Sequence, residues 1–408
     1  SAEGVAVVVG VDDRGVVAVG RVGHGARDGR AGHGRRTRAE AVLVGVSVVG
    51  DRGEELRVVG AGIVGLSTAL SLKERYPNEK ILILERGYLP TGASTKNAGF
   101  ACFGSPTELH DDLQKMSTEA VWETVALRLE GLHLLQARLK PEEMAWRNCG
   151  SWDLMASHES ALDPDFIADL NNTFQKNFGL KDVYSIDAEA SERFGFNGFQ
   201  TSYFNRYEAS IETHLLIDSL FKKCIQQDIH FLLATEVLDF EATHNEVIIQ
   251  TQHGALKGTH LLLCTNGFSQ KYFPDELRPA RAQVCITKPL KHQIKGTFHS
   301  EAGYYYFRDL GDRILFGGGR NLDFEGETSI EFELNRAIHQ QLLLKLQNEI
   351  LPGHAIEIET QWSGIMCVGD QKKPIIRSLN KNVHAGVRMG GMGVAIGSAV
   401  GAALSKLV

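Results

Sequence analysis

An α/β fold is predicted, with a parallel-sheet domain interleaved with an α+β domain built on a mainly antiparallel sheet. Three observations predict it. Residues 56–99 run through an apolar segment, a glycine turn, a helical pattern and a second apolar segment, the layout of a βαβ unit. Buried runs that end in small-residue turns return at residues 261–267 and 383–394. Between them, residues 281–287 and 304–319 alternate in the manner of antiparallel strands. Parallel-sheet pieces at the start, middle and end of the chain require the two domains to interleave. At 408 residues there is length for both.

Residues 1–55 stand apart. They are dominated by Val, Gly, Ala and Arg and contain no Lys, Ile, Asn, Pro or aromatic residue. Residues 5–10 and 16–20 could pair as a hairpin, and the Arg/His/Gly run at 21–38 has no periodicity. No function is assigned to this segment. Arg57, in what should be a buried strand, is left without an explanation.

The βαβ unit follows. Val58 and Val59 lead into Gly60-Ala61-Gly62-Ile63-Val64-Gly65, and Leu66, Ala69, Leu70 and Leu72 continue at helical spacing to Tyr76-Pro77. Ile81-Leu82-Ile83-Leu84 then ends in Glu85. This is the pattern of a dinucleotide-binding turn: Gly60 for the tight bend, Gly62 for close approach to a pyrophosphate, Gly65 for helix–strand packing. The helix start behind it offers unpaired N–H groups and partial positive charge to phosphates. Glu85, about 20 residues past the glycines, suits a ribose with two free hydroxyls and would repel a 2′-phosphate. In a chain with 43 glycines the motif alone is weak. Its place between two apolar runs, with the acid at the right distance, gives it weight. It does not separate FAD from NAD.

Gly92-Ala93-Ser94-Thr95-Lys96-Asn97-Ala98-Gly99 makes that separation. Its small residues suit a backbone pressed against a flat ligand, with Ser94, Thr95, Lys96 and Asn97 able to bond phosphate and ring edge. With residues 60–65 and Glu85 it resembles the FAD-binding signature of the D-amino-acid oxidase and glycine oxidase-type (DAO) flavoprotein family. The resemblance implies a Rossmann-like FAD-binding domain. Its cofactor contacts would include Gly60, Gly62, Ile63, Val64, Gly65, Glu85, Arg86, Ser94, Thr95, Lys96, Asn97, Ala98 and Gly99.

Further along, residues 107–139 read as one helix broken by Pro141, and residues 150–155 as a strand opening a second domain. Helical patterns cover 163–178 and 210–226, with a short helical turn at 187–194. Strands are expected at 229–233 and 247–251, and a buried strand at 261–264. In the resembled family the chain re-enters the FAD domain here, which implies Val237 beside the adenine and Thr265-Asn266-Gly267 beside the cofactor. Gly311-Asp312 marks a hairpin turn, and Thr328 with Glu331 a capping box for a helix running to Ile350. A long strand is expected at 356–366 and another at 383–387, before a helix starting at Gly393. The expected FAD-binding domain thus comprises 56–145, 208–278 and 360–408, and the substrate domain 146–207 and 279–359.

Composition excludes several classes. A net charge of −7 argues against a nucleic-acid partner. The six scattered cysteines form no CxxC, and neither they nor the fifteen histidines show metal-site spacing. Free thiols in the cytoplasm and no metal are expected. Residues 389–405 are uncharged, with Gly393, Gly397 and Gly401 spaced by four, but they are short and Gly/Ala-rich for a span. A closing helix packed on the sheet is expected, and no signal-peptide layout occurs.

Two sites carry the chemistry. The turn Gly391-Met392-Gly393-Val394 would aim a helix start at the pyrimidine edge of the flavin, as the resemblance implies, and stabilise its reduced anionic form. In Tyr304-Tyr305-Tyr306-Phe307-Arg308, a strand puts Tyr304, Tyr306 and Arg308 on one face. Arg308 looks like the arginine with which some amino-acid-oxidising relatives clamp a carboxylate; a salt bridge is its alternative role, and the tyrosines also suit sheet packing. Arg320 is a second candidate. Gly364 stands where sarcosine oxidase-like relatives attach flavin through Cys, and Cys367 is out of register, so non-covalent FAD is expected. Leu315 stands where they carry a lysine that helps oxygen react, so a dehydrogenase is possible. The resemblance implies hydride transfer from a small amine or amino acid to flavin N5, giving an imine, with oxygen or another carrier as electron acceptor. The chemistry is flavin-centred, and no side-chain base is named. A same-fold enzyme oxidising a hydroxy acid or glycerol phosphate, or a flavin-binding protein without turnover, are the alternatives.

Overall fold

The apolar runs on either side of the glycine turn, Glu55–Val59 and Lys80–Leu84, pair in parallel at the centre of a seven-stranded sheet. The protein is described here from a computed structural model covering residues 7–11, 17–21, 43–44, 55–291 and 294–408. His260–Leu263 and Val383–Val387 extend the parallel array on one side and His230–Leu232 on the other. Ile375–Ser378 and Leu43–Val44 close the two edges in antiparallel orientation. Val7–Val11 pairs antiparallel with Val17–Arg21, and the rest of the run at 21–38 lies outside the described residues.

One face of this sheet is covered by helices. Ile63–Arg75, Thr118–Arg138, Thr213–Gln226 and Gly393–Leu404 join its core. The glycine stripe of the last helix is a packing device. A Cβ at Gly397 would lie 2.8 Å from Ile63 Cγ2, and one at Gly401 2.7 Å from the Thr68 nitrogen. Ser67 and Ser398 hydroxyls bond across the same seam at 2.9 Å. Among the described residues no helix is long and apolar enough to cross a membrane.

The other face carries a three-stranded antiparallel sheet, Val237–Ala242, Val247–Thr251 and Gly254–Gly258. It accounts for Arg57. The side chain lies under this sheet, its Nε donating to the Lys257 carbonyl at 2.9 Å and its guanidinium paired with Glu55. Gly258 makes the room, since a Cβ there would sit 2.6 Å from Arg57 Cγ.

The second large sheet has eight strands and is antiparallel except where Thr297–Ser300 meets Ser151–Ala156. Ile358–Val368 pairs throughout with Arg278–Thr287, so a strand expected to fall mainly in the FAD-binding domain belongs to this sheet. The Gly311-Asp312 hairpin forms as expected, with Leu310 opposite Arg313 and Gly311 at φ +64°.

Two expected helices are corrected. The single helix over 107–139 is two, Pro106–Lys115 and Thr118–Arg138. Met116 and Ser117 are extended, and the Ser117 hydroxyl caps the second helix by accepting from the Ala120 N–H at 3.3 Å. The capping box at Thr328 and Glu331 does not form. Thr328 Oγ1 donates to the Phe324 carbonyl, and the helix starts at Arg336 under an Asn335 cap. Asn335 wins because its amide also bonds Asp323 and Glu327, which fixes it at the helix start.

Candidate active site

A cavity of about 740 Å³ lies between the carboxyl ends of the parallel strands and one face of the antiparallel sheet. Its volume is in the range of cofactor and small-molecule sites. At one end the glycine turn is built as the sequence requires. Gly60 is left-handed at φ +101°, with a Cβ there only 2.9 Å from the Cys264 carbonyl oxygen. A Cβ at Gly65 would strike the Gly60 oxygen at 1.8 Å, so Gly65 lies under the turn and holds helix to strand without facing the cavity. Gly62, Ile63 and Val64 line it, and Ser94 Oγ accepts from the Ile63 N–H at 3.0 Å.

Glu85 is buried at the same end. Its carboxylate accepts from the Ala61 N–H at 2.9 Å and the Gly87 N–H at 3.1 Å, which fixes it facing the cavity with lone pairs to spare. The Thr235 N–H bonds the Glu85 carbonyl at 2.8 Å, bringing Val237 to this end. Arg86 lies over Phe268, 4.0 Å from its ring centre, and lines the rim.

Ser94, Lys96, Asn97 and Ala98 line the middle; Thr95 and Gly99 do not. The Thr95 hydroxyl turns back to Pro90 and Gly92 carbonyls, and Gly99 (φ +77°) is packed against Ile211. Thr265 and Asn266 line the cavity, and the Asn266 side chain accepts from the Arg388 and Met389 N–H groups, tying two strand ends together. Gly267 is turned away, packed on the Met366 carbonyl. The helix start at Gly393 is where the sequence puts it, and Gly391, Met392, Gly393, Val394 and Gly364 all line the cavity.

At the far end, Tyr304, Tyr306 and Arg320 line the cavity and Arg308 does not. The Arg308 guanidinium is buried and fully spent. It donates to the Ala98 carbonyl at 2.6 Å, to the Ile211 carbonyl and to Glu212 at 3.1 Å. It therefore ties the antiparallel sheet to the 98–99 and 211–212 segments, and the salt-bridge alternative describes it. Arg320 differs. It rests over Phe324, 5.0 Å from the ring centre, its Nε has no partner, and among the described residues no carboxylate pairs with it. Burial lowers its pKa, outweighing the opposing pull of Tyr304 and Glu327.

Sequence reasoning missed three groups here. Phe100 and His299 line this end in edge-to-face contact, centroids 4.9 Å apart. Glu108 and Lys372 form an ion pair at 2.9 Å, with Arg128 3.0 Å from the same carboxylate and Asp112 2.7 Å from Lys372. Burial pushes the Glu108 pKa up, but Arg128 and Lys372 outweigh it and hold the carboxyl far below its usual range. Glu108 and Asp112, one helical turn apart, were the available signal; Lys372, in a loop far along the chain, gave none.

The cavity thus joins an open helix start and a buried carboxylate to an end rich in donors, and the residues present fit FAD. No curated protein matches the chain. Solved structures share its fold. Glycine oxidase from Geobacillus kaustophilus has a TM-score of 0.69 at 14% identity, over 87% of this chain and 94% of that one. Iminodiacetate oxidase from Chelativorans sp. BNC1 has 0.70 at 16%, over 86% and 94%. L-proline dehydrogenase from P. horikoshii has 0.69 at 17%, over 87% and 93%. The family model for FAD dependent oxidoreductases, DAO, matches residues 56–407, and the chain belongs to that family.

Proposed function

We propose that this chain oxidises the C–N bond of a small amino acid or amine with non-covalently bound FAD. The observation that carries the reading is the continuity of the cavity, which leads from the glycine turn and Glu85 to an unpaired guanidinium at Arg320. Gly60, Gly62, the Ile63 helix start, Glu85 and residues 94–98 would hold the dinucleotide. The Gly393 helix start would face the isoalloxazine. When bound, FAD supplies the two-electron acceptor for the hydride of the carbon next to nitrogen, leaving an imine. Arg320 would hold a substrate carboxylate in bidentate fashion with Tyr304 beside it, and Tyr306 would orient the rest of the substrate.

Several observations support the finer points. Gly364 has no nucleophile to offer, and Cys367 lies outside the cavity with its thiol on the Val368 carbonyl. Cys102 lines the cavity, but burial, with Glu208 and Glu108 nearby, pushes its thiol far above the range in which it would attack. Leu315 is buried with Ala98 and Val284, where relatives place a charged lysine, which supports a carrier other than oxygen as acceptor. All six cysteines are free, which supports a reducing compartment, the cytoplasm. The names of the similar structures support an amino-acid substrate.

The test is the visible spectrum of the purified protein under anaerobic conditions, before and after amines, amino acids and hydroxy acids are added. A flavin spectrum that bleaches with an amine or amino acid is expected. Bleaching by a hydroxy acid alone would move the reaction to carbon–oxygen bonds. No flavin, even after incubation with FAD, would refute the reading from Gly60 onward.

A further inference from the structure

Among the described residues His299 makes no hydrogen bond within the protein. It lies on Thr297–Ser300, opposite Tyr306 in the register of the next strand, so both side chains project from one sheet face into the cavity. Phe100 stands edge-on to both rings, at 4.9 Å from His299 and 5.8 Å from Tyr306, and holds them side by side. His299 Nε2 is buried and unpartnered. Among the described residues neither its Nδ1 nor the Tyr306 hydroxyl has a protein partner. Desolvation, only partly offset by Glu108, lowers the imidazole to about 4, so the ring is neutral near pH 7. A buried bare nitrogen is tolerated better than a buried unpaired N–H. The proton therefore belongs on Nδ1, the ring nitrogen left open to the cavity. Two adjacent donors, Nδ1–H and the tyrosine hydroxyl, await an acceptor oxygen.

The His299 and Arg320 backbones stand well apart. His299 is in register with Tyr306 and, one strand further, with Gly317. Two strand spacings are about 10 Å, and Arg320 lies further along the chain, over Phe324 beside Tyr304. Backbones set this far apart leave room for two stations for oxygen.

We propose that the substrate carries a second oxygen-bearing group, a carboxylate or its amide, and that His299 together with Tyr306 receives it while Arg320 holds the first. The substrate class is then an acidic or amide-bearing amino acid or its N-substituted equivalent. This rests on the reading of the cavity as an FAD and amino-acid site.

The experiment uses the FAD-loaded full chain and measures binding through the shift of the flavin spectrum. The probes are glutarate and pentanoate, five-carbon chains with two and one carboxylates and no oxidisable C–N bond. Wild type is expected to bind glutarate at least about 10-fold more tightly, the worth of a hydrogen bond to a charged group. His299→Ala should abolish that preference while leaving pentanoate unchanged. His299→Asn, whose amide places an N–H near Nδ1, should keep most of it. Flavin content and melting temperature of both variants check folding. Equal affinity of wild type for the two probes overturns the proposal while leaving the FAD and Arg320 reading standing. So does a preference that survives in His299→Ala, or an Asn variant no better than Ala. A flavin-loaded protein that binds neither probe removes the Arg320 assignment as well.

Discussion

Gly131→Ala is the sharpest test of how the cofactor cavity is held. Gly131 lies mid-way along Thr118–Arg138, where it faces the closing helix Gly393–Leu404. A Cβ there would lie 1.9 Å from the Ala395 carbonyl oxygen and 3.0 Å from its carbon. Both atoms belong to backbone, so no side chain can rotate away. The helices must separate by about 1 Å, a gap that forfeits a quarter to a half of the dispersion energy across the seam. Overpacking of this kind costs about 3 kcal/mol at its upper range. Helix propensity works the other way, favouring Ala over Gly by about 1 kcal/mol. The net is a loss of about 2 kcal/mol. Because Gly393, Val394 and Ala395 line the cavity, the displaced helix should also bind FAD more weakly. Thermal melting with and without added FAD reads both effects. Gly92→Ala, melted without FAD because Gly92 itself lines the cavity, is the control: its φ is −77°, no protein atom lies within 4 Å of the new Cβ, and its stability should change by less than about 0.5 kcal/mol. A Gly131→Ala protein that melts at or above the wild-type temperature would refute the packing argument.

Three other outcomes are expected. Glu85→Gln can serve only one of the Ala61 and Gly87 N–H groups, which bond different carboxylate oxygens, and removes the charge that the proposed function offers to the ribose, so FAD affinity should drop about 10-fold or more; flavin titration of the stripped protein measures it. Arg320→Ala should raise the KM of the amino-acid substrate about 10-fold or more, with flavin content unchanged, in steady-state kinetics. Glu208 is buried, its pKa pushed up to about 8 by burial against the opposing Phe103 and Gly104 N–H bonds. The folded protein therefore keeps a proton that the unfolded chain sheds near 4.5, and stability falls as pH rises from 4.5 to about 8. Glu208→Gln retains the acceptor oxygen without the proton, so its stability relative to wild type should improve steadily over that window in denaturation at several pH values. A relative stability independent of pH would contradict the assignment.

Much of the fold was legible because its signals are local. The strand at Val383–Val387 and the helix from Gly393 fall where the apolar run and glycine turn put them. Gly60, Gly62, Gly65 and Glu85 were legible for the same reason, since a turn, a close approach and an acid at a set distance are properties of one short segment. Breaks decided by a single side chain were harder. Apolar spacing runs on through Met116 and Ser117, and only the capping hydroxyl shows that one helix ends and another begins.

The substrate end was decided by tertiary structure. Strand alternation alone makes Arg308 and Tyr306 equivalent, both facing one side. Which becomes available to a ligand depends on Glu212, Ile211 and Ala98, brought by other segments of the chain to absorb the Arg308 guanidinium. Arg320 is left open because, among the described residues, no carboxylate forms an ion pair with it, and His299 matters only once cross-strand register sets it beside Tyr306. The sequence by itself determined the glycine turn, the acid that closes the second strand and the strand-to-helix finish, because neighbours in the chain satisfy them. Which polar groups are consumed within the protein and which remain for a substrate was settled by partners distant in sequence, since a buried donor bonds whatever the fold places within reach.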